Sequence, residues 1–203
     1  MTDSEMNKFL DSLDLEDKNI NTRKYSIQDE NKVIDSIQFG NSQKEFKLKF
    51  EKFITKNKRK KSSILIDNEP YIGNYKFTEC CFVDLYDDNK LYYLQLRGYP
   101  ISWENYNTEI EQQINYLKEV IIQQYGNPTK SFEIKNRIDV EKGFTYLVSS
   151  WSIQTKRIEI RISTIGTSYS VDLFIYKSDV YEKIEAEEKV ETEEATNKAK
   201  NTL

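Results

Sequence analysis

Histidine is absent from the 203 residues of this chain. Its absence excludes Ser-His-Asp and Cys-His catalysis, general-base chemistry by imidazole and the commonest metal ligand of proteins. The six glycines are scattered, so they form no glycine-rich phosphate loop. Carboxylate, lysine and tyrosine chemistry remain open, but no catalytic motif is recognisable. We therefore expect a protein that is not an enzyme and that needs no metal or other cofactor.

Cysteine is almost absent as well, since the chain has only Cys80 and Cys81. Adjacent residues rarely form a structural disulfide, and in a strand their side chains point to opposite faces, so they cannot bind one metal together. The acidic N-terminus has no apolar signal region, and no run approaches the roughly 18 apolar residues of a membrane span. We expect a soluble cytoplasmic protein that does not enter a membrane.

Aromatic residues are plentiful, with 14 Tyr and 10 Phe in a chain of net charge -4. This apolar content suffices for a core, while the richness in Asn, Lys, Glu and Ile is typical of an AT-rich bacterial genome. Most aromatics lie in the middle of the chain. The predicted organisation is a polar, possibly flexible segment at residues 1–30, a single domain at 31–178 and an acidic tail at 179–203 that is helical or disordered.

A first amphipathic helix is predicted after Gly40. Ser42 and Glu45 have the spacing of a capping box, in which each side chain bonds the backbone N–H of the other residue. The apolar residues that follow recur at helical spacing and form one stripe. These residues are Phe46, Phe50, Phe53 and Ile54.

A second helix is predicted from Trp103 to Tyr125, with Ser102 as its N-cap and Gly126 at its end. At about 100° per residue, seven apolar residues fall on one stripe, which predicts that they are core. Ile114 belongs to this stripe, whereas Tyr116 falls on the far face and is predicted to be dispensable. The stripe comprises Trp103, Tyr106, Ile110, Ile114, Leu117, Ile121 and Tyr125.

Strand-like runs surround these helices in the order strand, helix, three strands, helix, four strands. The runs cover residues 35–40, 62–67, 75–88, 91–98, 130–138, 144–153, 157–164 and 168–177. We predict an α+β fold, a mostly antiparallel sheet of about seven to eight strands with both helices on one face, built as a loose duplication of helix plus meander.

Alternation assigns the side chains of three late strands to faces. Phe132 and Ile134 are predicted to share a face in the first. In the second, one face receives Leu147, Trp151 and Ile153, and the other receives Phe144, Tyr146 and Val148. In the last, Tyr169, Val171, Leu173 and Ile175 oppose Phe174 and Tyr176.

Several stretches together resemble a broad group of functionally uncharacterised bacterial proteins. They are "FGNSQKEFKLKFEKF", "YIGNYKFTECCFVDLYDD", the Trp-led helix that ends in "QQYGNPT", and the strands "IEIRIS" and "VDLFIYKSD". The resemblance covers residues 36–179 and implies an architecture but no catalytic residue. The chain has Lys56, Asn57 and Lys58 where such proteins often have "KG". The layout is also similar to β-lactamase-inhibitor-protein-like and TATA-binding-protein-like folds, an analogy that implies no function.

The sheet face without helices is the predicted binding surface. Should it be open, its aromatic side chains form a patch larger than a monomer normally exposes, and such patches mark interaction sites. Cover by the N-terminal segment, by the tail or by a second copy of the chain is the alternative. We expect a protein partner or self-association, with partner-binding residues Phe82, Tyr86, Tyr93, Phe174 and Tyr176.

Two charged stretches offer other readings. The basic run at residues 56–61 is either a solvated loop or, in an accessory nucleic-acid-binding protein with exposed aromatics, a set of phosphate contacts. Asp84, Asp87 and Asp88 lack the glycine and glutamate of a calcium loop and are typical of a hairpin turn. The candidate phosphate contacts are Lys58, Arg59, Lys60 and Lys61.

Overall fold

The computed structural model describes residues 25–56, 70–86 and 89–200, so the predicted strand at 62–67 and the basic residues 57–61 lie outside the described part. The helices are α1 (Ile27–Asn31), α2 (Gln43–Lys56), α3 (Glu111–Tyr125) and α4 (Ser178–Lys200). The strands are β1 (Lys32–Ile34), β2 (Ile37–Gln38), β3 (Tyr71–Ile72), β4 (Tyr75–Tyr86), β5 (Lys90–Gly98), β6 (Lys130–Ser131), β7 (Thr145–Ile153), β8 (Lys156–Ile165) and β9 (Ser168–Lys177).

Seven strands form one antiparallel sheet in the order β3-β4-β5-β9-β8-β7-β6, and β1 and β2 form a separate hairpin. The predicted α+β class with a mostly antiparallel sheet is therefore confirmed. Each half of the sheet is a helix followed by a meander, α2 with β3–β5 and α3 with β6–β9. The two meanders meet through their last strands, β5 and β9.

One face of the central strands is the core of the protein. Registers align Leu94 of β5 with Ile175 of β9 and Ile158 of β8, and the neighbouring row is formed in the same way. Side chains of α2 and α3 join the same buried cluster, so both helices cover this face. Their core residues are Phe46, Phe50 and Phe53 from α2, and Ile114, Leu117, Ile121 and Tyr125 from α3.

The capping box of α2 is present as predicted. The Glu45 carboxylate accepts a hydrogen bond from the Ser42 backbone N–H at 2.8 Å, and Ser42 Oγ accepts one from the Glu45 N–H at 3.3 Å. These bonds hold the pKa of Glu45 below its usual value. Two N–H groups that the first helical turn leaves without backbone partners are thereby satisfied.

The start of the second helix differs from the prediction. A π-helical turn at Tyr106–Ile110 precedes α3, and Trp103 lies in the non-helical turn before it. Trp103 is 47% exposed at this position. The prediction that Trp103 is core is wrong, because the angular count holds only where the chain is helical. The end is as predicted, since Gly126 has a φ of +78° and donates its N–H to the Ile122 carbonyl at 2.8 Å.

Contrary to the angular count, Tyr116 does not lie on an open face of α3. It is half-buried, its ring stacks on Tyr75 with centroids 6.4 Å apart, and its hydroxyl accepts a hydrogen bond from the Asn74 N–H. The turn between β3 and β4 folds back onto α3 at this point. The far face of the helix is therefore partly covered by a segment whose position the sequence does not reveal.

A bulge reverses the alternation of β7. The register shifts between Leu147 and Ser149, so one extra residue stands in β7 opposite β8. Val148 is consequently buried in the same core as Trp151 and Ile153, and Tyr146 packs against it. The prediction that put Tyr146 and Val148 on the opposite face from Trp151 is wrong for this reason.

The predicted strand at residues 130–138 is mostly a loop. Only Lys130 and Ser131 pair with β7, and a short 3-10 turn follows at Arg137–Asp139. Phe132 is 52% exposed and Ile138 is 79% exposed. Ile134 packs against the core, whereas the side chains of Phe132 and Ile138 project to solvent, so the apolar residues of this stretch do not form the face of a strand.

Lys156 of β8 connects the segment before β1 to the sheet through hydrogen bonds. Its side chain is fully buried, and Nζ donates to the Lys32 carbonyl at 3.0 Å, to the Tyr125 hydroxyl at 3.1 Å and to the Asp29 carbonyl. Tyr25 adds a hydrogen bond to the Tyr125 carbonyl at 2.6 Å. The packed part of the chain therefore includes residues 25–30, which the sequence assigned to the polar N-terminal segment.

Substitution of Ile114 by Asp is expected to unfold or nearly unfold the protein. The residue is 1% exposed, and an unpartnered buried carboxylate lowers the free energy of unfolding by about 4 kcal/mol or more. Asn115→Asp, at the exposed neighbouring position, is the matched control and should stay within about 0.5 kcal/mol of the wild type. Urea unfolding followed by circular dichroism measures both, and equal losses would contradict the assigned face of α3.

The stability of the protein is expected to depend on the titration of Lys156. Burial lowers the pKa of Lys156 from its ordinary 10.5 to about 8. Between these values the unfolded chain binds a proton that the folded chain has lost, so stability from this group rises with pH. Relative to Lys156→Met, the wild type should gain on the order of 2 kcal/mol between pH 7.5 and 9.5.

Urea unfolding of both proteins at a series of pH values tests this expectation. The other titrating groups are common to the two proteins, so their effects largely cancel in the difference. A difference in unfolding free energy that does not change with pH would show that burial does not lower the pKa of Lys156 in the folded protein.

Candidate functional site

Three of the predicted partner-binding residues lie together on the face opposite α2 and α3. Tyr93 pairs with Tyr176 across β5 and β9. The ring of Tyr93 lies 6.1 Å from that of Tyr176 and 6.2 Å from that of Phe174, measured between centroids. Phe82 and Tyr86 belong to β4, but their side chains lie outside the described residues.

The C-terminal helix covers one end of this face. The ring of Tyr181 in α4 stacks on that of Tyr93, with centroids 6.1 Å apart, and packs at a tilt of 46° against that of Tyr176, with centroids 4.9 Å apart. Phe174 is buried, whereas the three tyrosines are half-buried and still reach solvent. We call Tyr93, Phe174, Tyr176 and Tyr181 the aromatic cluster.

The tyrosines of the aromatic cluster are neutral at physiological pH. Burial raises the pKa of Tyr93, and the neighbouring Tyr181 adds to this effect. Burial likewise raises the pKa of Tyr176, with the charge of Glu159 as the next cause. The Tyr176 hydroxyl donates to the Glu159 carboxylate at 2.9 Å, so its polar end is already occupied. The cluster offers ring surface rather than a reactive phenolate.

A buried carboxylate organises the strands beside the aromatic cluster. Asp172 accepts hydrogen bonds from the Gln95 side chain at 2.9 Å, the Ser170 hydroxyl at 2.7 Å and the Gly98 N–H at 3.2 Å. Gly98 is required here because a Cβ at this position would lie 2.4 Å from the Val171 carbonyl oxygen. Asp172 is fully buried and well partnered, which makes it a structural residue.

Two arginines extend the same face towards solvent. The Arg161 side chain, 29% exposed, pairs with Glu159 and lies 4.7 Å from the ring of Phe174. The Arg97 side chain is 41% exposed, and its Nε lies 3.7 Å from Asp172. Aromatic rings beside arginines are typical of protein interfaces. The described residues hold no group of three or more potential metal ligands.

Beyond its first two turns, α4 contacts little of the domain. Every residue from 185 to 195 is exposed, including Val190 at 55%. A helix that is exposed and polar all round has no face packed on its own domain. The aromatic cluster and this exposed length of α4 are joined at Tyr181, which belongs to both the cluster and the helix.

Of the remaining predicted residues, the structure describes only Asp84, which pairs with Tyr93 across β4 and β5. Lys58, Arg59, Lys60 and Lys61 lie outside the described residues, as do Asp87 and Asp88. Asp84 accepts a hydrogen bond from the Tyr92 hydroxyl at 2.8 Å. None of the helices in the described ranges is long and apolar enough to cross a membrane.

A pocket of about 460 Å³ lies elsewhere, beside the turn between β8 and β9. Trp103, Arg137 and Ile138 line it, together with residues of that turn. Sequence reasoning missed this pocket because it placed Trp103 in the core and Ile138 in a strand. One signal was available, since "KNRIDVEKG" has neither the period of a strand nor that of a helix.

Comparison of the chain with protein-family models, with curated proteins and with solved structures gave no match. The resemblance to a group of bacterial proteins therefore remains a prediction. What the fold defines is an α+β protein with a helix-covered core face and a second face that carries aromatic and arginine side chains.

Removal of the Tyr181 ring is expected to loosen α4. Tyr181→Ala deletes the ring by which α4 contacts Tyr93 and Tyr176, and should lower the free energy of unfolding by about 1–2 kcal/mol. Val190→Ala, in the exposed part of the same helix, is the control and should change it by less than about 0.5 kcal/mol. Thermal unfolding followed by circular dichroism provides the measurement, and similar results for both variants would contradict the docking of α4.

Proposed function

We propose that this protein is a non-enzymatic binding module for another protein. Its binding surface is formed by the aromatic cluster and the exposed part of α4. The observation that carries the proposal is the aromatic cluster itself. Tyr93, Tyr176 and Tyr181 remain half-exposed beside Arg97 and Arg161. Tyrosine and arginine are the residue types that supply most binding energy at protein interfaces.

The charge of α4 indicates the kind of partner. Its carboxylates outnumber its lysines, and those from Glu185 to Glu194 stand on an exposed helix. Such a surface attracts a positively charged partner and speeds the encounter of the two proteins. We propose a protein partner that presents a basic surface to α4 and apolar or aromatic side chains to the aromatic cluster.

The chemistry of the chain supports binding rather than catalysis. Histidine is absent, and the carboxylates of Glu159 and Asp172 on this face are already engaged by hydrogen-bond donors. A carboxylate that serves as a catalytic base must reach a substrate proton. We also infer a cytoplasmic setting of bacterial origin from the adjacent cysteines and the residue composition.

Affinity capture followed by a direct binding measurement tests the proposal. The full chain is used to recover partners from a lysate of the source cells, and each is identified, purified and titrated by calorimetry. Tyr93→Ala combined with Tyr181→Ala should weaken the specific partner by about tenfold or more. Leu48→Ala combined with Ile27→Ala, which alters two apolar residues exposed elsewhere, is the matched control and should bind as the wild type does.

Charge and salt provide the second arm of the experiment. Glu185→Lys combined with Glu188→Lys should slow association, and added salt should weaken binding of the wild type. Equal affinity of the aromatic variant, the charge variant and the wild type would overturn the proposal. Retention of DNA or RNA at low salt, with no protein partner, would instead favour the nucleic-acid hypothesis.

A further inference from the structure

The pocket beside the β8–β9 turn is a second site, independent of the aromatic cluster and of the proposed function. Its volume of about 460 Å³ falls in the range of small-molecule pockets, roughly 300–1,000 Å³. The loop at residues 132–144 forms one wall, and Trp103 and the β8–β9 turn form others. The lining mixes apolar surface with a few polar groups, as ligand sites do.

Arg137 supplies a positioned cation. Its guanidinium carbon lies 3.7 Å from the centroid of the Trp103 ring, and one terminal N–H donates to the Trp103 carbonyl at 3.2 Å. Its Nε is buried and has no hydrogen-bond partner among the described residues. The Trp103 ring and carbonyl hold the guanidinium in place, and several of its N–H groups remain for an acceptor.

The rest of the lining has the same sign of charge. Lys142 is an exposed second cation, and no carboxylate is among the residues that line the pocket. The nearby acids Glu104, Asp139 and Glu141 stand outside the lining, and no ion pair joins them to Arg137 within the described ranges. Hydrogen bonds from its own N–H and from Ser102 lower the pKa of Glu104, and the charge of Arg137 adds to this effect. Because Glu104 neither lines the pocket nor forms an ion pair with Arg137 among the described residues, a ligand that enters meets positive charge without an ion-paired counterion.

Hydroxyl groups and apolar side chains complete the site. Thr164 Oγ1 accepts a hydrogen bond from the Gly143 N–H at 2.7 Å, which leaves its own hydroxyl hydrogen for an acceptor. Thr167 and Ser168 add two more hydroxyls. Ile138, 79% exposed, and the Trp103 ring provide apolar surface that would be covered by a bound ligand.

We propose that this pocket binds a small organic monocarboxylate with an aliphatic or aromatic body. The carboxylate pairs with Arg137 and Lys142 and accepts a hydrogen bond from Thr164. The apolar body lies against Trp103 and Ile138. An arginine held in one orientation is well suited to a carboxylate, because its N–H groups match the two oxygens.

Binding of named probes to the full chain tests the proposal. Phenylacetate and hexanoate are titrated by calorimetry and by ligand-observed NMR, and should bind with a Kd of about 1 mM or tighter. Phenylacetamide, which has the same body without the charge, and inorganic phosphate, which has charge without the body, should bind at least about tenfold more weakly. Trp103 emission should respond to phenylacetate, whereas the buried Trp151 contributes a constant background.

Substitutions assign the binding to this pocket. Arg137→Gln should weaken phenylacetate by about tenfold, and Lys142→Gln should weaken it by a smaller factor without touching the stacked pair. Lys52→Gln on α2, an exposed lysine far from the pocket in sequence, is the control and should bind as the wild type does. Unfolding temperatures of all variants show whether the loop remains folded.

Three outcomes would overturn the proposal. The first is that neither carboxylate binds at about 10 mM, which is about ten times the Kd expected here. The second is that phenylacetate and phenylacetamide bind equally. The third is that the wild type and both cation variants bind phenylacetate equally. Preferential binding of phosphate would likewise exclude a carboxylate site. Because the cation variants alter only the pocket and leave the aromatic cluster unchanged, their results are separate from the test of protein binding.

Discussion

The pairing of β9 with both β5 and β8 is the constraint on which the other features of the protein depend. Because side chains alternate along a strand, one register sends Leu173 and Ile175 into the core and Phe174 and Tyr176 to the opposite face. A slip of one residue would exchange the two sets. The core under α2 and α3 and the aromatic cluster are therefore consequences of the same pairing, and Asp172 reinforces it through its bonds to β5.

The two proposed binding surfaces are built from different kinds of structure, one from central strands and the other from loops. The side chains of the sheet face belong to the central strands and lie beside the hydrogen-bonded carboxylates of Asp172 and Glu159. The pocket is built from connections, the 132–144 loop and the β8–β9 turn, on the edge of that frame. A scaffold that carries recognition residues partly on its strands and partly on its loops is a common arrangement for binding proteins.

How much of this could be predicted from the sequence differs from element to element. Strands β8 and β9 follow unbroken alternation, and α2 carries a capping box, so local chemistry alone determined them correctly. Trp103 was misplaced because the helical backbone begins only after it, and Val148 because a bulge shifts the alternation of β7; neither change has a marker residue in the sequence. Alternation within β9 predicted that Phe174 and Tyr176 share a face. The position of Tyr93 beside them depends on the strand register, and the docking of Tyr181 depends on a tertiary contact, neither of which a local pattern records.

Amide hydrogen exchange along the full chain tests the central claim most directly, that one sheet register builds the core and a face from which α4 projects. The account predicts the slowest exchange in β5, β8 and β9, intermediate exchange in the first two turns of α4 and fast exchange beyond Glu185. Uniform protection along α4, or faster exchange in β9 than in the edge strands β3 and β6, would contradict it.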